Sequence, residues 1–206
     1  DKVGSPKVIN QVEKLGITAE MPKEPSLALG VAEINLMNLT GAYASYVNSS
    51  KSVKPFFITK IEDKSGKVIY EFHPKNTRKE AYGDHTRQVM LQMMKATVDK
   101  GTASRIRTTY NLNNAIAGKT GTTQKNKDGW FVAITPNLVT VTWVGNDNYG
   151  IGFKSTGLGQ GANSALPIFA KYYQKLNSNK EFDNITKAQF EEPSKKVLSD
   201  MDCETE

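Results

Sequence analysis

The sequence predicts an α+β fold, an antiparallel sheet with helices packed on one or both faces. Three strands predict the sheet: Ala115 to Thr122, Trp130 to Thr135 and Leu138 to Val144. The last two are separated only by Pro136-Asn137, residues suited to the centre of a tight turn, so they pair antiparallel. Two amphipathic helices predict the flanking layers. One runs from Asp84 to Lys100 with Val89, Met90, Met93, Met94 and Thr97 facing inward; the other starts near Asn163 and carries Leu166, Phe169, Ala170, Tyr173 and Leu176 on one stripe. A chain of 206 residues can bury such a core.

The remaining elements follow in chain order. Ser5-Pro6 reads as an N-cap followed by proline in the first helical position; Val8, Val12 and Leu15 recur at near-helical spacing until Gly16 stops the helix. A second helix places Leu36, Leu39, Tyr43, Tyr46 and Val47 behind a cap at Asn35, with the tyrosines expected in the core. Phe57, Thr59 and Ile61 alternate up to Asp63-Lys64-Ser65-Gly66, and Val68, Tyr70 and Phe72 alternate after it, as in a β-hairpin. Gly101 takes the stop position of the Asp84 helix. The methionines there read as core filling. Lys125 to Asp128 forms a polar loop between the first two sheet strands, and a glycine-rich stretch spans Gly150 to Gly161. Two units result: residues 1–177 form the domain, and residues 178–206, with Glu191, Glu192, Asp200, Asp202, Glu204 and Glu206 against Lys195 and Lys196, form a polar, acidic tail expected to be solvated.

Composition narrows the function. The net charge of +6 comes from scattered Lys and Arg without a block of like charges, and no recognition motif or zinc-ligand spacing accompanies it, so no nucleic-acid partner is expected. A weakly anionic cell-surface polymer is a compatible neighbour. Cys203 is the sole cysteine, which excludes an internal disulfide and a cysteine-based metal cluster. His73 and His85 have no carboxylate or cysteine at metal-ligand spacing and read as surface or loop residues. No metal and no cofactor is implied. No run approaches the length of a membrane span, so this segment requires no membrane contact. The opening Asp1-Lys2-Val3-Gly4 carries no signal peptide, and targeting and anchoring signals are expected upstream in a longer parent.

Ala117-Gly118-Lys119-Thr120-Gly121-Thr122-Thr123 is the segment that carries chemistry. A phosphate-binding loop needs a glycine five positions before Gly118 to wrap backbone amides around phosphate, but that position is Asn113. It also needs a helix after the motif, where another strand follows. A second reading places Lys-Thr-Gly on an edge strand, with Lys119 and Gly121 on one face and Thr120 and Thr122 on the other. The lysine ammonium with a threonine hydroxyl can hold a carboxylate, and Gly121 leaves room for an extended peptide to add as a further strand. The plain alternative is an ordinary polar strand end. Asp128 and Trp130 come next near the mouth of the strand pair, with Trp130 expected to anchor the hairpin.

The chain around this motif decides between them. Val8-Ile9-Asn10 through Lys14-Leu15-Gly16-Ile17, Ser26 to Gly30, Ala42-Tyr43-Ala44, the Pro55 to Tyr70 hairpin, and Val98-Asp99-Lys100-Gly101-Thr102-Ala103 precede Lys119-Thr120-Gly121-Thr122-Thr123. Asp128-Gly129-Trp130-Phe131-Val132, Thr135-Pro136, Trp143-Val144-Gly145 and the Gly161 to Phe169 helix start follow it. In this order, from about Gly4 to Tyr173, the chain resembles the C-terminal part of the transpeptidase domain of bifunctional, class A, high-molecular-weight penicillin-binding proteins.

The resemblance implies part of a penicillin-binding-protein/serine β-lactamase-like fold, with one sheet face left uncovered. It implies a parent D,D-transpeptidase that cross-links peptidoglycan stem peptides ending in D-Ala-D-Ala, binds β-lactam antibiotics, carries a glycosyltransferase domain upstream, and sits on the outer face of the cytoplasmic membrane through an upstream transmembrane helix. Lys119, Thr120, Gly121 and Thr122 then bind the carboxylate of substrate or β-lactam, with the Thr122 amide as one oxyanion donor. The family's Ser-x-x-Lys and Ser-x-Asn elements occur nowhere in these 206 residues. No catalytic residue is therefore assigned; the partner that must complete the site is the upstream part of the same domain, and the isolated chain is expected to be inert. Two other classes remain open: a non-catalytic module binding peptidoglycan peptides, and a basic surface protein binding an anionic polymer.

Overall fold

A computed structural model of the protein describes residues 2–74, 78–148 and 150–202; Asp1, Cys203, Glu204 and Glu206, each of which carries an expectation above, lie outside the described residues. Helices α1 (Ser5–Lys14) and α2 (Leu36–Tyr43) precede a hairpin of β1 (Lys60–Glu62) and β2 (Val68–Glu71). Then come α3 (Asp84–Asp99), α4 (Arg105–Thr108), and a meander of β3 (Ala117–Thr122), β4 (Gly129–Thr135) and β5 (Leu138–Val144). Among the described residues four α-helices follow the meander: α5 (Thr156–Gly159), α6 (Leu166–Asn177), α7 (Asp183–Thr186) and α8 (Lys195–Asp200).

Local chemistry sets several boundaries. Asn35 caps α2, its side chain accepting from the Asn38 amide at 2.8 Å, as its position predicts. In α1 the cap is Gly4 rather than Ser5; the Ser5 hydroxyl turns away and donates to the Lys23 carbonyl at 2.5 Å. The hairpin turn is closed by Asp63, whose carboxylate accepts from the Ser65 and Lys67 amides, with Gly66 at φ +82°. Helix α6 begins at Leu166 rather than near Asn163, because Pro167 lacks an amide hydrogen and fits only the first turn.

The three-stranded sheet has the order β3-β4-β5, all antiparallel. Its register places Gly118, Thr120 and Thr122 opposite Ala133, Phe131 and Gly129, so these side chains share one face. Ala117, Lys119 and Gly121 sit opposite Ile134, Val132 and Trp130 and share the other. On the first face Phe131 and Ala133 join Leu166, Phe169 and Tyr173 of α6, Ile106 of α4 and Val98 of α3 in one buried cluster. On the second, Ala117, Val132 and Ile134 meet Leu91 and Met94 of α3, flanked by Tyr43 and Tyr46. The uncovered face expected above is thus not found. The run Phe131-Val132-Ala133-Ile134 is apolar at both parities and demands cover on both sides.

The buried stripe of α3 is Leu91, Met94 and Val98, whereas Met93 is 53% exposed and Thr97 only half-buried. Four apolar residues in five positions blur the helical period, so the expected face was rotated. The Thr97 hydroxyl instead donates to the Met93 carbonyl of its own helix.

Residues 178–202 are not a solvated tail. Phe182 packs on the α6 cluster, Phe190 on the α3 cluster, and Val197 is fully buried. The Ser194 amide donates to Gln88 at 2.8 Å, and Glu191 pairs with Arg87 of α3 at 2.9 Å. Three apolar side chains spaced through a charged stretch disappear in its average composition, yet each finds a gap beside a helix.

Candidate functional site

The edge strand β3 carries the predicted site. Lys119 and Thr122 are exposed, and Thr120 and Gly121 half-buried. The Lys119 ammonium donates to the Thr120 carbonyl at 2.5 Å. The threonine hydroxyls lie on the α6 face, opposite the face from which Lys119 leaves the strand. Lysine and threonines therefore meet only across the edge of the strand. A carboxylate held by all three must sit at that edge, where an added peptide strand would also run.

Each threonine has a partner that the sequence does not reveal. Thr120 Oγ1 lies 2.7 Å from Thr102 Oγ1. Thr122 Oγ1 accepts a 3.1 Å bond from the Gly161 amide. Gly161 comes so close that a Cβ there would lie 2.2 Å from the Trp130 carbonyl oxygen and 2.4 Å from that of Gly121. Thr102 and Gly161 lie 18 and 39 residues from their partners, and no periodicity links such positions.

The glycines of the motif have separate roles. A Cβ at Gly118 would stand 3.0 Å from both the Phe131 ring and the Val132 carbonyl, inside the α6 cluster. At Gly121 it would press on the Cβ of the cross-strand Trp130 at 3.1 Å. Trp130 is half-buried and pairs with Trp143, ring centres 6.2 Å apart, which fits the expected anchoring of the hairpin.

Asp128 ties off the strand end. It is 8% exposed; one carboxylate oxygen accepts from Trp143 Nε1 at 3.1 Å, the other from the Thr123 hydroxyl at 3.3 Å. The Asp128 amide donates back to the Thr123 hydroxyl at 2.8 Å, and the Thr123 amide to the Asp128 carbonyl at 3.1 Å. Between Thr123 and Asp128 the loop passes through Lys125 and Asn126, both at positive φ, and the Asn126 carbonyl accepts from the Phe153 amide at 3.1 Å. The carboxylate is turned inward while Lys119 and Lys125 are exposed. Outward, the strand end offers cations and hydroxyls, which is chemistry for an anion. His73 and His85 are exposed, and His85 contacts Asp200 at 2.7 Å, far along the chain from this strand.

Comparison with known proteins matches residues 12–174 to the penicillin binding protein transpeptidase domain. The chain is 37% identical over 216 aligned positions to penicillin-binding protein 1A of Aquifex aeolicus (strain VF5), covering 99% of this chain and 28% of that protein. Among solved structures, it is similar to penicillin-binding protein 1A from Haemophilus influenzae, with TM-score 0.77 and 22% identity over 93% of this chain and 33% of the other. It is also similar to the PonA1 protein from Mycobacterium tuberculosis in complex with penicillin V, with TM-score 0.63 and 20% identity over 93% and 53%. The chain thus spans under a third of the length of its curated relative.

Proposed function

The chain belongs to the penicillin-binding protein transpeptidase domain family, and from that premise we propose that it forms the substrate-receiving wall of a D,D-transpeptidase that cross-links peptidoglycan stem peptides and is acylated by β-lactams. The observation that carries this reading is the edge strand β3, which presents Lys119 on one face and Thr120 and Thr122 on the other, with Gly121 leaving no side chain between them.

In this reading a stem peptide lies along β3 as an added strand, its terminal carboxylate received by the Lys119 ammonium and the Thr120 and Thr122 hydroxyls. That fixes the scissile carbonyl beside the Thr122 amide, which stabilises the negative charge developing on its oxygen. The attacking serine comes from a Ser-x-x-Lys element that these 206 residues do not contain, on a segment preceding this one in the complete domain. Its oxygen adds to the carbonyl carbon, the D-Ala amine leaves with a proton, and the amine of a second stem peptide resolves the acyl-enzyme. Such a substrate places the complete protein outside the cytoplasmic membrane.

The test is acylation by a fluorescent penicillin of the protein extended upstream through its Ser-x-x-Lys element. Lys119→Ala should lower the acylation rate roughly 10- to 100-fold, the size of one lost charge-assisted hydrogen bond. Unchanged acylation would remove Lys119 from the role. A folded extended protein that never labels would favour a non-catalytic peptide-binding module.

A further inference from the structure

Thr102 lies outside the Lys-Thr-Gly motif, yet its hydroxyl is 2.7 Å from that of Thr120. Its placement is constructed rather than incidental. Gly101 precedes it in a turn so tight that a Cβ at Gly101 would stand 2.8 Å from Thr97 Cα and 2.9 Å from the Thr97 carbonyl oxygen. Ala103 follows it, fully buried in the α6 cluster, its amide bonded to that same carbonyl at 3.0 Å. The Ser104 amide closes the turn onto Gly101 at 3.1 Å. Between a glycine at which a Cβ would force the Thr97 backbone to shift and a residue locked in the core, the backbone of Thr102 is held beside β3, with its side chain exposed.

We propose that Thr102 is a positioning residue for carboxylate recognition, donating its hydroxyl hydrogen to Thr120 so that Thr120 can donate its own to the ligand. The inference rests on the functional reading above. Two hydroxyls facing each other share one hydrogen, and either can be the donor. An anion at the strand edge settles the direction: it accepts from Thr120, whose lone pair is then open to Thr102. A chain of O–H donors ending on an anion is strengthened at each link, because each bond polarises the next. The Gly161 amide, donating to Thr122 Oγ1, does the same for the second hydroxyl. Both threonines of β3 thus have an acceptor site filled from behind and a hydrogen free to point at the edge, which selects a negatively charged ligand group over a neutral one.

The experiment compares acylation of the upstream-extended protein by penicillin and by its methyl ester, which lacks the carboxylate charge. Thr102→Val should slow acylation by penicillin about 3- to 10-fold, the worth of one neutral hydrogen bond, and leave the slower reaction with the ester nearly unchanged. Thr102→Ser should retain the parent's rate with both. In a double-mutant cycle with Thr120→Val, the two losses should fail to add. Equal slowing with both ligands would mark Thr102 as merely structural and overturn the proposal, as would full additivity. If Lys119→Ala is slow and Thr102→Val is not, this proposal falls while the functional reading stands; if neither is slow, the reading itself falls.

Discussion

At the residue scale, the site depends on backbone approaches that only small side chains permit. Gly161 is the sharpest case, since the atoms its Cβ would strike, at 2.2 and 2.4 Å, belong to the backbones of β4 and β3. Neither strand can yield without breaking pairing at Gly121–Trp130. Gly161→Ala should therefore push the Gly150–Gly161 stretch off the sheet, break the amide bond to Thr122, and cost about 1–3 kcal/mol, the usual cost of overpacking. Urea unfolding measures it; a midpoint equal to the parent's would mean that the stretch relaxes freely. Of this site, the sequence exposes Lys119 to Thr122 because the motif is contiguous. It hides Thr102 and Gly161 because their partners are reached through the fold. Asp128 is legible only as a nearby acid; that its carboxylate faces Trp143 and Thr123 follows from the β3–β4–β5 register.

At the element scale, strand and helix types were legible wherever period and punctuation agree. Pro136-Asn137 set the β4–β5 hairpin, and all five predicted residues of α6 are buried. Where apolar residues crowd more than one face, as in α3, the type was right but the face was rotated. The C-terminal elements were hidden for the opposite reason, too few apolar residues among charges. Helix α8 still buries Val197 completely and is capped by the Ser194 hydroxyl, which accepts from the Val197 amide at 3.4 Å. Val197→Ala should destabilise the protein by about 2 kcal/mol, two buried carbons at ~0.8 kcal/mol each plus a cavity. A solvated tail would give no change in thermal midpoint, so the size of the shift decides whether the segment is part of the folded unit.

At the scale of the whole molecule, an aromatic seam joins the α2 region to the segment leading into α3. Tyr43, Tyr46 and Tyr82 lie with ring centres 5.9 and 5.5 Å apart in succession, and the Tyr82 hydroxyl shares a hydrogen with Ser45 Oγ at 2.5 Å. Burial pushes the Tyr82 phenol from its ordinary 10.0 up to about 12, and raises Tyr46 as well, aided by repulsion from Tyr82 and Tyr43. The native state then holds these protons more tightly than the unfolded chain does. Their contribution is complete below about pH 10 and is lost as pH rises through the raised values. Thermal stability should fall steeply above pH 10, and Tyr46→Phe should flatten that fall relative to the parent; parallel alkaline slopes would show that the seam does not carry it. By itself the sequence determined the meander, the α6 stripe, the motif strand and the family, because each rests on residues adjacent or periodic along the chain. Only the tertiary structure decided that both sheet faces are covered, that the acidic segment folds back, and that Thr102 and Gly161 stand behind the two threonines. The two threonine contacts join residues 18 and 39 positions apart, and what brings such residues together is the packing of whole elements, which no local pattern encodes.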